Sequence, residues 1–228
     1  MLRRITLFLV KAVLGFLALG FLLVVVYKFV PVPITATMLL DPEVWEEGRL
    51  TKDWEPLDNI DPDMARAVIA SEDGKFCSHD GFDREAIQNA LRSNLEGGRI
   101  RGGSTISQQT AKNVFLWQGG GFFRKGLEAV FTVAIEQIWG KRRIMEVYLN
   151  VAETGIATYG VEAGSQRYFR RGANSLTPVE AGRMAAALPL PKERAVVNPT
   201  GWLRRHGNSV AARVGVVKRD RLDACLYE

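Results

Sequence analysis

The residues best placed to do chemistry begin at Ser71-Glu72-Asp73-Gly74-Lys75-Phe76-Cys77-Ser78-His79-Asp80-Gly81. Glu72 and Asp73 follow an apolar helical run, residues 64–70, at the point where a buried helix gives out. Gly74 and Gly81 then let the backbone turn without a Cβ penalty. Carboxylates and a histidine at such a turn can reach a cleft, where an acid–base task needs them. Taken alone, the pair reads as a solvated helix end; the stretches that follow change that reading.

The second stretch runs from Arg101 to Asn113. Its Gly-Gly-Ser-Thr start, residues 102–105, sets backbone N–H groups at a helix N-terminus, which attract anions. Gln108 and Lys112 fall four apart, an amide and a cation on one face. The third is Arg124-Lys125-Gly126-Leu127-Glu128, where two adjacent cations favour an ionised Glu128; a surface ion pair is the plainer reading. The fourth spans residues 141–150, followed by Glu153, Tyr159-Gly160-Val161-Glu162 and Tyr168-Phe169.

Helices must position these groups. Asp83 is a plausible N-cap for residues 84–96, with Ile87, Ala90, Leu91, Asn94 and Leu95 at helical spacing and Gly97-Gly98 as the stop. Ser104 can cap a helix over 105–115. A third helix over 122–139 has Leu127, Val130, Phe131, Ala134, Ile135 and Ile138 on its apolar face, and a fourth covers 141–152. Thr177-Pro178-Val179-Glu180 is a capping box with Pro at the first helical position, and Pro189 and Pro191 stop the Ala-rich helix it opens. The basic tail after Trp202 is helix-compatible. No alternating strand pattern exceeds a few residues, so the domain reads as mostly α. The segment Val114 to Phe123, apolar around a triple glycine, is either a loop folded into the core or a flap whose aromatics dip into a lipid interface.

The N-terminus reads Met1-Leu2-Arg3-Arg4, then a nearly unbroken apolar run to Val30. About 20 apolar residues span a bilayer, and a signal peptide has a shorter apolar core, so an uncleaved anchor is expected over residues 1–30. Arg3, Arg4 and Lys11 put that end in the cytoplasm by the positive-inside rule. Residues 31–55 read as a Pro-rich connector and 56–228 as the folded domain. The net charge of +5 favours an anionic partner. No nucleic-acid fingerprint is present, which leaves anionic lipid. Cys77 and Cys225 could pair in an oxidising compartment, although two thiols far apart in sequence are more often free. The scattered His and Cys residues have no metal-ligand spacing, so no metal site is expected.

EDGKFCSHDG, RGGSTISQQTAKN, RKGLE and KRRIMEVYLN, in this order, resemble the motifs of peptidoglycan glycosyltransferases, and LTPVEAGRMAAALPLP is similar to the fifth. The resemblance covers about residues 55–200. With one anchor and neither an S-x-x-K nor a K-T-G motif, the chain resembles the monofunctional members of that family. The resemblance implies an all-α fold, a lysozyme-like lobe plus a smaller membrane-facing lobe, preceded by one transmembrane helix. It implies a polymerase that joins the disaccharides of lipid II by β-1,4 bonds with inversion, releasing undecaprenyl pyrophosphate. Glu72 would be the general base, and Glu128 would orient cations or a divalent metal. Arg101, Lys112, Arg124 and Lys125 would hold the pyrophosphate. Asp73, Ser104, Thr105 and Gln108 would complete the substrate site. No cofactor is required, although a magnesium or manganese ion on the pyrophosphate is compatible with it. The implied partners are lipid II, the growing glycan, the lipid bilayer, and cell-division or penicillin-binding proteins. The implied place is the bacterial inner membrane, with the catalytic domain in the periplasm. Two other classes compete: a lysozyme-type glycosidase, which lacks phosphate-directed cations, and an idle lipid-binding scaffold, which has no need of two intact glutamate motifs.

Overall fold

The computed structural model describes residues 2–95 and 103–228. The apolar N-terminal run forms α1 (Leu2–Tyr27), long and apolar enough to cross a membrane. The connector carries two short helices, α2 (Ala36–Leu39) and α3 (Pro42–Glu46), capped by the side chains of Thr35 and Asp41. There follow α4 (Pro62–Glu72), α5 (Arg84–Leu95), α6 (Ile106–Phe115), α7 (Gly121–Ile138) and α8 (Gly140–Val151). The chain then adds α9 (Val161–Phe169), α10 (Pro178–Ala187), α11 (Gly201–Arg219) and α12 (Ala224–Tyr227). Three very short strands, β1 (Thr51–Lys52), β2 (Glu153–Gly155) and β3 (Thr158–Tyr159), form a small sheet in the order β1-β3-β2. The fold is all-α with one N-terminal candidate membrane helix, as the sequence implies.

Local signals set most helix ends. Asp83 accepts from the Ala86 N–H at 2.9 Å and starts α5, while the glycine pair expected to end it, Gly97-Gly98, lies outside the described residues. Thr177 and Glu180 form the reciprocal capping box that opens α10. The cap of α6 is Thr105, one residue after the expected Ser104. Thr105 wins because Gln108 stands three residues on and bonds back to its N–H, which satisfies two helix-end donors together.

The core joins two sets of helices. α6 packs between α7 and α8, and α4 packs on α10 and α11. α10 also packs on α11, and there Gly182 is required: a Cβ would lie 2.8 Å from the Gly207 carbonyl oxygen. The anchor helix rests on the domain too. A Cβ at Gly20 would fall 2.5 Å from the Phe131 ring, the Trp139 indole donates to the Val24 carbonyl at 2.6 Å, and Arg143 donates to the Tyr27 and Val30 carbonyls. A cation on the last carbonyls of a helix satisfies acceptors that have no partner within it. The connector is not a free stalk either, since Val32 and Met38 are fully buried.

Of the two alternatives open for the cysteines, the structure takes the paired one. Cys77 and Cys225 form a disulfide, with Cα atoms 5.5 Å apart across a sequence separation of 148. Tertiary packing brings them together: Arg66 on α4 pairs with Asp223 at 2.7 Å, and Arg142 on α8 donates to the Leu226 carbonyl at 2.6 Å. The segment 114–123 divides between its two readings. Val114, Phe115 and Leu116 are buried, with Phe115 stacked on Phe131, whereas Phe122 is 96% exposed.

Candidate active site

α4 ends at Glu72 because Asp73 leaves the helical backbone. The turn after it is held by Asp73 itself, which is buried and accepts from the Ile106 N–H at 3.0 Å and faces the His79 ring at 3.0 Å. Asp73 thus ties the loop to the start of α6. Gly81 closes the turn at φ +90°, where a Cβ would meet Thr132 at 2.8 Å, and its carbonyl accepts from the Thr105 hydroxyl at 2.6 Å. The motif's histidine and second carboxylate therefore serve as internal struts.

Glu72 is left facing a cavity of about 150 Å³ lined also by Lys75, Gly103, Ser104 and Thr105. Its carboxylate accepts from Ser71 at 3.2 Å and from the Gln109 amide at 3.1 Å. Burial raises its pKa above the ordinary carboxylate value. The hydrogen bonds from Gln109 and Ser71 and the charge of Arg194 act against that, and the charge of Asp73 adds to it. A carboxyl so placed is a base with some appetite for a proton.

Glu128 lies on α7 in the opposite situation. It is 2% exposed and clamped by Arg124 at 2.6 Å and by Lys125, the residues four and three before it. Lys125 also bonds the Ser104 hydroxyl at 3.1 Å, which joins this cluster to the wall of the Glu72 cavity. The two carboxylates share no hydrogen-bond partner among the described residues. Lys112, one face over on α6, has no carboxylate within ion-pair distance among the described residues. Burial lowers its ammonium pKa, Glu128 opposes this, and Arg124 and Lys125 reinforce it. A partly buried cation beside two others is a group that an incoming anion would stabilise.

Lys112 faces a second cavity of about 290 Å³, shared with Gln109, Asn113, Tyr148, Glu153 and Lys192. Lys192 bonds Asp41 at 2.8 Å, Glu43 at 2.5 Å and Glu153 at 3.1 Å. Burial lowers its pKa, but those bonds outweigh it and hold the ammonium above its ordinary value. These three acids are the described carboxylates grouped closely enough to hold an ion, and a cation already stands among them.

Of the residues singled out from sequence, the structure gathers Glu72, Asp73, Ser104 and Thr105 around one cavity. It gathers Arg124, Lys125 and Glu128 in one ion cluster. Arg101 lies outside the described residues. Gln108 does not point with Lys112: its side chain caps α6, and the Ile106 and Gln108 N–H groups expected to await an anion are bonded to Asp73 and Thr105. The polar residues of the fourth stretch are scaffolding. Asn150 bonds both backbone groups of Glu55, and Glu146 accepts from the Leu57 N–H. Sequence reasoning missed Gln109 and Lys192. The signal for Gln109 was present, since it follows Gln108 and so lies on another face of α6.

A family model described as Transglycosylase matches residues 43–214. A biosynthetic peptidoglycan transglycosylase of Caulobacter vibrioides is 50% identical over 204 residues, 89% of this chain and 88% of that protein. The protein of the same description from Bdellovibrio bacteriovorus is 45% identical over 223 residues, 96% of this chain and 89% of its own length. That from Pasteurella multocida is 46% identical over 212 residues, covering 91% and 86%.

Proposed function

The chain belongs to the transglycosylase family, and from that membership we propose that it builds glycan strands from lipid II, adding disaccharides by β-1,4 bonds. Peptidoglycan glycosyltransfer in cell-wall synthesis follows from the family. The observation that carries the proposal is the contrast between the two glutamates: one carboxylate kept among neutral donors at a cavity, the other locked among cations.

In this reading Glu72 takes the proton of the acceptor sugar's 4-hydroxyl. The oxygen attacks the anomeric carbon of the growing chain, the bond from that carbon to the pyrophosphate oxygen breaks, and its electron pair leaves with the phosphate. Attack opposite the leaving group inverts the configuration. Lys112, Arg124 and Lys125 stabilise the negative charge that grows on the pyrophosphate, and Glu128 holds two of those cations in place. These ammonium and guanidinium groups do what a divalent cation would otherwise do. The described acids do not fit such an ion well, because Asp41, Glu43 and Glu153 hold Lys192 and Glu128 holds its own pair. No step is therefore assigned to a metal.

The reading places the anchor in the inner membrane as a single pass, with the N-terminus in the cytoplasm and the domain in the periplasm. Arg3, Arg4 and Lys11 at the start of α1 support that orientation, and the Cys77–Cys225 disulfide supports an oxidising compartment. The exposed rings of Phe122 and Phe123, next to Arg124 and Lys125, suit the surface of a bilayer that supplies a lipid-linked donor.

The test is full-length protein in detergent with labelled lipid II. Polymer formation with release of lipid pyrophosphate is expected, together with its loss in Glu72→Gln. Cleavage of preformed glycan without polymer would favour a hydrolase and overturn the reading.

A further inference from the structure

Between Glu72 on α4 and Tyr148 on α8 stands one amide. The Tyr148 hydroxyl donates to Gln109 Oε1 at 3.3 Å, and Gln109 Nε2 donates to Glu72 Oε2 at 3.1 Å. Tyr148 is 1% exposed, and Gln109 is its hydroxyl's hydrogen-bond partner among the described residues. Gln109 lines the cavity of Lys112 and Glu72 lines the other, so their hydrogen bond links the two linings.

An amide has a donating end and an accepting end, and its neighbours decide which faces which. An ionised carboxylate only accepts, whereas a tyrosine hydroxyl donates or accepts. With Glu72 ionised, one orientation satisfies all three groups, and it is the observed one. If the amide turned over, its oxygen would face Glu72, and only a protonated Glu72 could bond to it. The Tyr148 hydroxyl could then accept from Nε2, but its own buried proton would lose its acceptor among the described residues, and so Tyr148 opposes the turn.

We propose that Gln109, oriented by Tyr148, is a positioning residue that holds Glu72 in its ionised, proton-accepting form on the side facing the acceptor. The inference rests on the reading of Glu72 as the base. The other groups acting on Glu72 are Ser71, which donates to its second oxygen, the opposing charge of Arg194 and the like charge of Asp73. Asp73 is held by the Ile106 N–H and His79, and Arg194 donates to the Ala186 carbonyl. Gln109 is therefore the group linking the carboxylate to a fixed donor in the interior.

The experiment is the pH profile of kcat/KM for polymerisation by full-length protein carrying Tyr148→Phe, Gln109→Met, or both. Gln109→Met keeps the volume and removes the amide, and the acidic limb should move to higher pH, with activity down about tenfold or more at neutral pH. Tyr148→Phe should move the limb the same way with a smaller loss, about three- to tenfold, that shrinks as pH rises. The double variant should match Gln109→Met, because Tyr148 acts through the amide. A merely structural role would lower activity equally at every pH, leave the limb in place and make the losses additive; any of these overturns the proposal. If Gln109→Met does not fold, Tyr148→Phe decides alone, with carboxyl-carbon NMR titration of Glu72 as the second measurement. An active Glu72→Gln would defeat the reading of the base itself, whereas an inactive one beside an unmoved limb would defeat only this inference.

Discussion

Glu72 and Glu128 are the same side chain put to opposite uses. Glu128, in the middle of α7, meets two cations from its own helix one turn back and is almost wholly enclosed. Glu72, at the end of α4, meets a hydroxyl and an amide and keeps one side toward a cavity. The Glu128 carboxylate is taken up by its two cations. A carboxylate that is partly buried with only neutral donors retains some affinity for a proton, and that is what a base near neutral pH requires. In the proposed reading, proton transfer falls to Glu72 and charge stabilisation to the cations around Glu128.

The widest break in that comparison is Glu72→Gln. It removes the proton acceptor and little volume, and loss of a general base costs about 10²–10⁴-fold. Polymerisation measured with labelled lipid II should fall by that factor while lipid II binding persists. Activity within a few fold of the parent would remove Glu72 from the role. The disulfide breaks the comparison on one side only, since Cys77 lies in the turn five residues after Glu72. Cys225→Ser should lower stability by about 2–5 kcal/mol, as expected for opening a long loop. Hydrogen exchange should then rise around residues 73–83 and far less along α7. An even rise over both regions would show that the bond merely holds the whole fold. Glu128→Gln acts on the other side. It leaves Arg124 and Lys125 facing each other without their carboxylate, and should cost about 1–3 kcal/mol because Lys125 is half-exposed. A thermal melt showing no loss would mean that the clamp contributes nothing to the fold.

How legible each glutamate was in the sequence follows the same divide. The Glu128 cluster is made within one helix, and spacings of three and four residues fix it, so it could be read directly. The α10 capping box was readable for the same reason. The surroundings of Glu72 come from α6 and α8, and nothing local names Gln109 or Tyr148 as its neighbours. Helical spacing put Gln108 beside Lys112, but the reciprocal bond with Thr105 drew its side chain to the helix end. The Cys77–Cys225 pair depends on how α11 and α12 return to α4, a tertiary outcome that two isolated thiols do not announce. The Lys192 cluster draws its acids from α3 and β2, which are far apart in sequence. The anchor was readable as a membrane span by length and composition, but its seat on Phe131 and Trp139 was not.

The smallest effect sharpens the comparison most, because the two glutamates should differ in sign. A carboxyl whose folded pKa is raised binds protons more readily in the native state than in the unfolded chain. Its contribution to stability is fully present below the unfolded value and is lost as pH rises through the folded one. For Glu72, raised chiefly by burial, the ionised form thus weighs against the fold at neutral pH. Gln109, Ser71 and Arg194 reduce that penalty without removing it. Glu72→Gln, which keeps the shape and abolishes the charge, should therefore melt at a slightly higher temperature than the parent at pH 7 to 8. The gain should shrink as pH falls into the range where Glu72 is protonated. Glu128→Gln should melt lower than the parent over the same neutral range, since it removes an anion that two cations surround. Melting curves of the three proteins against pH check this directly. If Glu72→Gln is destabilised at neutral pH as Glu128→Gln is, then Glu72 is a compensated structural carboxylate, and the distinction between the two glutamates fails.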